Sequence, residues 1–381
     1  MIKPEIATQL IAENLTLVPE HLAINIMADR DYPPFDRVMM DGIAVDYEAY
    51  QQGLRDFKIV GVAAAGEAAK ILNHKEHCFE VMTGAPLPKG ASLVIPYEHL
   101  ELASGVAKIV KELQRAKMES IHLKGSDCKR GELVLKSGVA LNGPHQGIAS
   151  SMGEEFSFSP SSRLLIISTG DELVDIGTQP LEHQIRRSNA YAIRQSLKLN
   201  GFSDVTLNHL KDDPNLISDH YLENAEKYDV LIYSGGVSKG KFDYLPNVWS
   251  ELGVKKIFHE VAQRPGKPLW FGVDEKRNCR VVGLPGNPVS SLVCLHRYVI
   301  PKKSMYARLS EEIIFKKDLT YFIPVKLEYR ADGSLLAHPM RIKNSGEFTA
   351  LAESDGFLEL PAEQSVFSPG EVFSYWPWRI N

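Results

Sequence analysis

The sequence of 381 residues contains only four cysteines and no long apolar run. Cys78, Cys128, Cys279 and Cys294 show no CxxC or other metal-ligand spacing, so neither a zinc site nor a disulfide-rich fold is indicated. No stretch of about 18 apolar residues could span a bilayer, and no charged-then-apolar signal stands at the N-terminus. We therefore expect a cytoplasmic protein with reduced thiols and no membrane association.

Three signatures of large enzyme classes are also missing. The 12 histidines form no HExxH spacing, and the chain has neither a GxxxxGK[ST] P-loop nor a GxSxG turn. These absences argue against a zinc hydrolase, a P-loop NTPase and an α/β-hydrolase. The net charge of −5 gives no broad electrostatic attraction to nucleic acid, and we expect no nucleic-acid partner.

What the chain does contain is three glycine-rich turns, each directly after an apolar run. They occupy residues 164–172, 230–238 and 281–288. Continuous Val/Ile/Leu runs are typical of buried parallel strands, and a glycine turn lets backbone approach a ligand closely. Ligands of open α/β sheets bind at the carboxyl ends of the strands. The turns therefore indicate a site for an anion that carries phosphates.

The spacing of these runs predicts an α/β domain of mostly parallel sheet in three layers, flanked by β-rich segments. Strands are predicted at residues 163–168, 204–207, 229–234, 256–261 and 280–283, and helices at 189–200, 216–227, 244–252 and from Asn287 onward. Short alternating runs between residues 56 and 111 predict a small β-rich inserted domain. Residues 319–327, 334–338, 357–360 and 371–375 predict a small C-terminal β domain. Helical spacing opens the segment 3–28, and a short helix is predicted at 144–152.

Several acidic residues follow the predicted strand ends. Asp171 and Glu172 lie in the first glycine turn, Asp212 and Asp213 follow the second strand, and Asp243 follows the Ser-Gly-Gly turn. Carboxylates beside substrate phosphates are typical of a Mg²⁺ site. The alternative for each acid alone is a helix cap or a turn, which Asp favours for local reasons. Together on one sheet edge they favour the cation site.

Two further segments offer groups for an anion. Arg264 and Lys267 stand three residues apart on a proline-stiffened segment, a spacing suited to an oxyanion, although a solvated surface loop would look the same. Asn287 with Pro288 begins a helix whose free N–H groups, with the hydroxyl of Ser290, could also bind an anion. The alternative there is simple capping.

Six motifs in order across about residues 4–301 resemble those of the molybdopterin molybdenumtransferases. These proteins are the molybdenum insertases of molybdenum cofactor biosynthesis and are related to the insertase domain of gephyrin. The motifs are Met40-Asp41-Gly42-Ile43-Ala44-Val45, Thr83-Gly84-Ala85-Pro86-Leu87-Pro88, Ser168-Thr169-Gly170-Asp171-Glu172-Leu173, Ser234-Gly235-Gly236-Val237-Ser238, Pro265-Gly266-Lys267-Pro268 and Leu284-Pro285-Gly286-Asn287-Pro288-Val289-Ser290.

The resemblance implies a transferase that inserts molybdate into adenylylated molybdopterin with Mg²⁺ and releases AMP. It implies a homodimer with the site between the α/β domain of one subunit and the β domain of the other. Molybdopterin adenylyltransferase and apo-molybdoenzymes are further possible partners. It also implies four domains: a linker and dimerisation domain (1–45 and 128–160), the inserted β-rich domain (46–127), the α/β molybdopterin-binding domain (161–304) and the C-terminal β domain (305–381).

The resemblance also implies residue roles. Glu172 and Asp243 would bind the metal, and Arg264 and Lys267 would hold molybdate with help from Ser290. The implied catalytic residues are Asp41, Thr83, Asp127, Glu172, Asp212 and Asp243. The implied substrate-binding residues are Gly235, Gly236, Ser238, Arg264, Lys267, Pro285, Pro288 and Ser290.

The chain departs from the family pattern at several positions. Arg37-Val38 replaces the usual Asn-Ser, Ile43 replaces Tyr, and Arg264 replaces the first lysine of Lys-Pro-Gly-Lys-Pro; Lys239 and Lys241 add charge to the Ser-Gly-Gly loop. Two other functions remain open: a homologue that hydrolyses or adenylylates the pterin nucleotide, and a carrier of the finished cofactor. The Met-Asp-Gly and Thr-Gly-Ala-Pro motifs favour the insertase over the first. The acids Asp41 and Asp243 with Lys267 argue against the second.

Overall fold

A computed structural model describes residues 1–111, 114–140, 142–154, 158–238, 240, 243–301, 304–340 and 346–379. The chain divides into two compact units, one of Leu22–Phe158 and one of Met1–His21 with Ser159–Asn381. None of the helices in these described ranges combines the length and apolar character that crossing a bilayer requires.

The described residues form short helices and many strands. The helices are α1 Pro4–Asn14, α2 Tyr47–Gln51, α3 Gly143–Ser151, α4 Ser188–Leu199, α5 Pro214–Asn224, α6 Leu245–Glu251 and α7 Pro288–Cys294, with 3₁₀ turns at Tyr97–His99 and Phe348–Glu353 and a π-helical turn at Leu295–Val299. The strands are β1 His21–Leu22, β2 Ile26–Met27, β3 Arg37–Val38, β4 Gly42–Val45, β5 Asp56–Ala63, β6 His77–Val81, β7 Leu93–Pro96, β8 Leu100–Ala103, β9 Val106–Ile109, β10 Ile121–His122, β11 Leu133–Leu135, β12 Phe158–Ser159, β13 Leu164–Thr169, β14 Leu173–Val174, β15 Ile185–Arg186, β16 Val205–Leu210, β17 Val230–Ser234, β18 Lys255–His259, β19 Gln263–Arg264, β20 Trp270–Asp274, β21 Cys279–Leu284, β22 Met305–Leu309, β23 Ile313–Ile314, β24 Thr320–Tyr329, β25 Leu335–Pro339, β26 Gly356–Leu360, β27 Val366–Phe367 and β28 Val372–Pro377.

The predicted α/β sheet is confirmed, with six strands in the order β16-β13-β17-β21-β20-β18. The first four strands are parallel, β20 runs antiparallel to β21, and β18 pairs antiparallel with β20 and so runs in the direction of the first four. Successive side chains of a strand point to opposite faces. On β13, Leu164 and Ile166 pack on the side of α1 and α4, while Leu165 and Ile167 pack on the side of α5 and α6. The sheet is therefore the middle of three layers.

One local prediction agrees with the structure, and one strand was missed. The helix predicted at the start of the segment 3–28 is α1, which ends at Asn14, and Leu15 follows it with extended backbone (φ −128°, ψ 113°). No strand was predicted at Trp270–Asp274, where β20 pairs with both β18 and β21. Both faces of β20 are buried, so it lacks the polar–apolar alternation of a half-exposed strand.

The predicted C-terminal β domain is a small barrel. Its strands run in the order β24-β25-β22-β28-β26, and β26 pairs back with β24 to close the sheet. The short strand β19 adds to this barrel in parallel, with Gln263 opposite Thr320 and Arg264 opposite Tyr321. The segment that carries Arg264 therefore comes directly after strand β18 of the α/β sheet in the chain and is hydrogen-bonded to the barrel.

The unit Leu22–Phe158 is β-rich, as predicted for the inserted segment. Its main sheet has the order β7-β4-β6-β5-β9-β8, and β4 begins at Gly42, directly after Asp41. Shorter ladders pair β3 with β10 and β2 with β11. The division of the whole chain into four domains with the bounds given above remains a prediction.

Candidate active site

A cleft of about 850 Å³ lies at the carboxyl ends of the parallel strands β13, β17 and β21. All three glycine-rich turns line it, as the position of ligands in open α/β sheets predicts. One turn residue shows why glycine is needed. Gly235 has φ +102°, and a Cβ there would lie 2.9 Å from the Thr169 carbonyl oxygen. Any side chain at this position would push the second turn away from the first.

The acids of the three loops that follow β13, β16 and β17 come together at one side of the cleft. Glu172, Asp212 and Asp243 line it, and the Asp212 backbone N–H donates to Asp171 Oδ1 at 3.4 Å. Burial raises the pKa of Asp212, and the charges of Asp171, Glu172 and Asp243 raise this pKa further. A carboxylate held among other carboxylates is stabilised by a nearby cation.

Local roles explain part of the acidic pattern. Asp213 Oδ1 accepts from the backbone N–H groups of Asn215 and Leu216 at 2.8 and 3.1 Å, so this residue is the N-cap of α5. Asp243 Oδ2 accepts from Gly240 N at 2.7 Å and shapes its own turn. Within the described ranges, no group of three or more His, Cys, Asp or Glu side chains is placed to hold a metal ion by itself. A cation in the cleft would need further ligands from the substrate.

Cationic groups occupy the 263–268 side of the cleft. Arg264 and Lys267 both line it, and Lys267 Nζ lies 3.8 Å from Glu260 Oε1. Burial raises the pKa of Tyr321, which also lines the cleft, and the positive charge of Arg264 partly opposes that rise. The cleft contains all eight residues implied for substrate binding, namely Gly235, Gly236, Ser238, Arg264, Lys267, Pro285, Pro288 and Ser290.

The remaining three predicted residues belong to the unit Leu22–Phe158. Asp41 and Thr83 meet, because the backbone N–H and Oγ1 of Thr83 donate to Asp41 Oδ1 at 2.6 and 2.7 Å, and these bonds lower the pKa of Asp41. Asp127 Oδ1 lies 2.9 Å from Nε2 of His122, whose Nδ1 lies 3.1 Å from Nη2 of Arg37. The departure from the family pattern at Arg37 therefore contributes to a chain of polar contacts that ends at Asp127.

Sequence reasoning missed a second pair of cations at the start of α4. Arg186 and Arg187 line the cleft. Arg187 Nη2 pairs with Asp175 Oδ2 at 2.8 Å. Hydrogen bonds from Tyr191 and Arg187 lower the pKa of Asp175 to about 2, so the pair stays ionised at neutral pH. The sequence feature that could have revealed them is the pair of adjacent arginines directly before an amphipathic helix.

Other missed residues come from distant parts of the chain. Asn189 Nδ2 donates to Ser234 Oγ at 3.1 Å and to the Gly286 carbonyl at 2.8 Å, and so joins two of the glycine turns. Leu319 and Tyr321 reach the cleft from the C-terminal barrel, and no local motif marks them. The predicted charges of Lys239 and Lys241 lie outside the described residues.

Comparison with known proteins agrees with this architecture. Residues 3–153 match the family model of the MoeA N-terminal region (domain I and II), residues 165–303 that of a probable molybdopterin binding domain, and residues 306–378 that of the MoeA C-terminal region (domain IV). A molybdopterin molybdenumtransferase of Synechocystis sp. is 52% identical over 358 residues, which cover 94% of this chain and 92% of that protein. The chain belongs to the molybdopterin molybdenumtransferase family.

More distant members of the molybdopterin molybdenumtransferase family match over similar lengths. A protein of that name from Staphylococcus aureus is 29% identical over 369 residues, covering 92% of this chain and 87% of the relative. The crystal structure of a molybdopterin biosynthesis MoeA protein from Pyrococcus horikosii superposes with a TM-score of 0.77 at 27% identity, covering 100% of both chains. The predicted family and the multi-domain fold class are thereby confirmed, and the family is one of transferases.

Proposed function

We propose that this family member inserts molybdate into adenylylated molybdopterin and releases AMP. The observation that carries the proposal is the pairing of opposite charges in one cleft. The cations Arg264 and Lys267 and the carboxylates Glu172, Asp212 and Asp243 all line the same space, at the carboxyl edge of one sheet. A substrate that carries phosphates and a second, free oxyanion needs both kinds of group.

The carboxylates fit a bound Mg²⁺. Burial raises the pKa of Asp212, and the charges of Asp171, Glu172 and Asp243 raise it further; a bound divalent cation would offset both effects. We assign Glu172 and Asp243 as the protein ligands, with substrate phosphate oxygens as further ligands, because Mg²⁺ commonly takes one or two carboxylates plus phosphate oxygens. Bound there, Mg²⁺ would neutralise charge on the phosphates as AMP leaves.

The cleft residues then have distinct roles. Arg264 and Lys267 hold molybdate by charge-assisted hydrogen bonds, Ser290 adds a hydroxyl, and Pro285 and Pro288 keep their own segment of the cleft wall rigid. Arg186 and Arg187 face the phosphates of the nucleotide from the start of α4. The glycines of the Ser-Gly-Gly turn let the substrate approach backbone. Asp212 positions water or the metal-bound phosphates.

We also propose a homodimer in which Asp41, Thr83 and Asp127 of one copy serve the cleft of the other, as the family resemblance implies. A mixture of two inactive variants tests this arrangement. If Asp41→Asn and Asp212→Asn subunits exchange freely, half of the dimers are mixed and carry one intact site of two, so about a quarter of the activity should return. No recovery after verified exchange would show that each site is built within one chain.

A cytoplasmic location and exchange of substrate and product with partner enzymes complete the proposal. All four cysteines are free thiols, which suits a reducing compartment. The substrate must come from an enzyme that adenylylates molybdopterin, and the product must pass to apo-molybdoenzymes. Cell fractionation with an antibody against the chain tests the location.

Release of AMP from adenylylated molybdopterin is the deciding experiment. The purified protein is incubated with substrate and Mg²⁺, with and without molybdate, and the product is offered to an apo-molybdoenzyme. Release that depends on molybdate and yields activating product supports the insertase. Release without molybdate would identify a hydrolase instead, and tight binding with no release would identify a carrier.

A further inference from the structure

A buried polar network lies directly beneath the turn that presents Arg264 and Lys267. Gln263, only 1% exposed, donates from Nε2 to the Pro265 carbonyl at 3.0 Å, and its Oε1 accepts from the hydroxyl of Tyr298. The thiol of Cys294 donates to the Gly266 carbonyl at 3.4 Å and accepts from Gln263 Nε2 at 3.5 Å. Two successive carbonyls of the turn are thus bonded to buried side chains.

Such a network costs more to bury than apolar packing would. Burying an amide or a hydroxyl costs free energy unless its hydrogen bonds are made, and apolar residues of similar size would fill the same space at no such cost. Here the two amide hydrogens and the carbonyl oxygen of Gln263 all have partners. A fully satisfied buried network makes the surrounding backbone rigid and specifies one conformation.

The turn packs directly against this network. Gly266 has φ +94°, and a Cβ there would lie 2.6 Å from both Cys294 Sγ and Gln263 Nε2. On the other side, Gln263 and Arg264 form strand β19 and pair with Thr320 and Tyr321 of the barrel. The backbone between Arg264 and Lys267 is therefore fixed both from below and from the side.

The donors of the network remain protonated at neutral pH. Burial raises the pKa of the Cys294 thiol and of the Tyr298 hydroxyl, so both keep the hydrogen that they donate. Cys294 is the last residue of α7, and Tyr298 lies in the π-helical turn that continues it. The same helical segment carries Ser290, which lines the cleft, so one element bears two residues of the network and a residue of the proposed anion site.

We propose that Gln263, Cys294 and Tyr298 are positioning residues that hold the Arg264–Lys267 turn in the geometry that binds molybdate. The inference rests on the proposed function, because it takes these two cations as the molybdate ligands. Arginine and lysine side chains are long and flexible, and ordering them on binding costs free energy. Affinity for a small oxyanion is therefore higher when the backbone that carries them is already fixed. A fixed backbone supplies that order before molybdate arrives.

Tyr298→Phe tests this role, because it removes only the hydroxyl. Tyr221→Phe is a matched control in the same unit, since the buried Tyr221 hydroxyl donates to Asp274 Oδ2 at 2.8 Å away from the cleft. We expect both variants to lower the unfolding midpoint to a similar extent. Only Tyr298→Phe should weaken molybdate binding, by about tenfold, as loss of one ordering hydrogen bond implies.

The readouts separate positioning from stability. Molybdate affinity is measured by calorimetry, and the KM values for molybdate and for the adenylylated substrate are measured by AMP release. The molybdate KM should rise in Tyr298→Phe while the nucleotide KM stays unchanged. Cys294→Ser keeps a donor and should bind molybdate like the parent protein, whereas Cys294→Ala should not. This second pair keeps the test valid if Tyr298→Phe does not fold.

The result that overturns the inference is distinct from failure of the proposed function. If Lys267→Ala weakens molybdate binding but Tyr298→Phe and Cys294→Ala bind molybdate as well as the Tyr221→Phe control, the network is structural only. If Lys267→Ala leaves molybdate binding unchanged, the anion site itself is misassigned and the positioning role falls with it.

Discussion

At the scale of single residues, Lys267 and Asp212 represent the two kinds of charge in the cleft. Lys267 is half exposed and only loosely held by Glu260, so its ammonium group remains available to an anion. Asp212 is the opposite case, because burial and three acidic neighbours disfavour its charge. Substitution of either residue should therefore have an effect that substitution of a purely structural residue would not have.

Lys267→Ala should weaken molybdate binding about tenfold or more while leaving nucleotide binding nearly intact, because it removes one charge-assisted donor of the anion site. Calorimetric titrations with molybdate and with AMP measure the two affinities. Lys255→Ala is a matched control, since Lys255 is an exposed lysine that pairs with Glu275 at 3.4 Å outside the cleft. Equal losses for molybdate and nucleotide would contradict the assignment.

Asp212→Asn should abolish most AMP release yet leave the fold at least as stable as before at neutral pH. The folded-state pKa of Asp212 lies above its unfolded value, so the protonated form favours folding and this contribution disappears as the pH rises through the folded pKa. Removing the charge should therefore help stability at pH 7 and give no gain below the unfolded pKa. Denaturant unfolding in metal-free buffer at both pH values checks this.

A variant Asp212→Asn that is clearly less stable at pH 7 would contradict this electrostatic account. It would indicate that the ionised side chain makes stabilising bonds that outweigh its acidic neighbours.

At the scale of elements, adjacent acids on the β16–α5 connection have separate roles. Asp213 caps α5 through two backbone N–H groups, whereas Asp212 turns into the cleft. A helix N-terminus leaves backbone donors unsatisfied, and a capping carboxylate supplies the missing acceptor. The sequence Asp-Asp thus combines a local folding signal with a site residue.

Asp213→Ala should cost about 1 kcal/mol of unfolding free energy, because it removes the N-cap of α5. Asp213→Ser retains a capping oxygen and should recover most of the loss. Thermal unfolding measures both, and AMP release by the folded variants should match the parent protein. A large loss of activity in a well-folded Asp213→Ala would instead place this residue in the site.

At the scale of the whole molecule, Arg297 joins three separate segments of its unit. Its guanidinium pairs with both carboxylate oxygens of Glu359 at 2.8 and 3.0 Å, donates to Thr8 Oγ1 at 2.9 Å and lies 4.4 Å from the Trp376 ring centroid. These contacts connect α1, the π-helical turn and the C-terminal barrel. Both charged side chains are almost buried, so each depends on the other.

Arg297→Met should lower the unfolding free energy by about 3–5 kcal/mol, because it leaves the Glu359 carboxylate buried without a cation, with the Trp376 Nε1–H at 2.8 Å as its remaining donor. The exposed pair of Arg163 and Asp229, also 2.8 Å apart, is a control for which Arg163→Met should cost about 1 kcal/mol or less. Denaturant unfolding compares the two. Similar small losses would show that Arg297 does not join the segments energetically.

The arrangement of the α/β domain was largely predictable from sequence. The runs at β13, β17 and β21 are continuously apolar because both faces of these strands are buried, and that pattern is local. The antiparallel strand β20 was not predicted, since its pairing partners decide it. Most of the eleven predicted cleft residues lie in loops at the ends of strands, where the topology of the sheet brings them together. Arg264 lies within β19 instead, and Pro288 and Ser290 lie in the first turn of α7.

Local patterns in the chain were enough to establish the family, the sheet and the edge of the sheet where the cleft lies, because motifs, apolar periodicity and glycine conformation act over a few neighbouring residues. Long-range contacts, by contrast, bring Tyr321 of the barrel to Arg264 and set Gln263 beneath the turn between Arg264 and Lys267. They also surround Asp212 with the acids of other loops. These outcomes depend on contacts between residues far apart in the chain, and burial there changes both the pKa of a side chain and the hydrogen bonds that it must make.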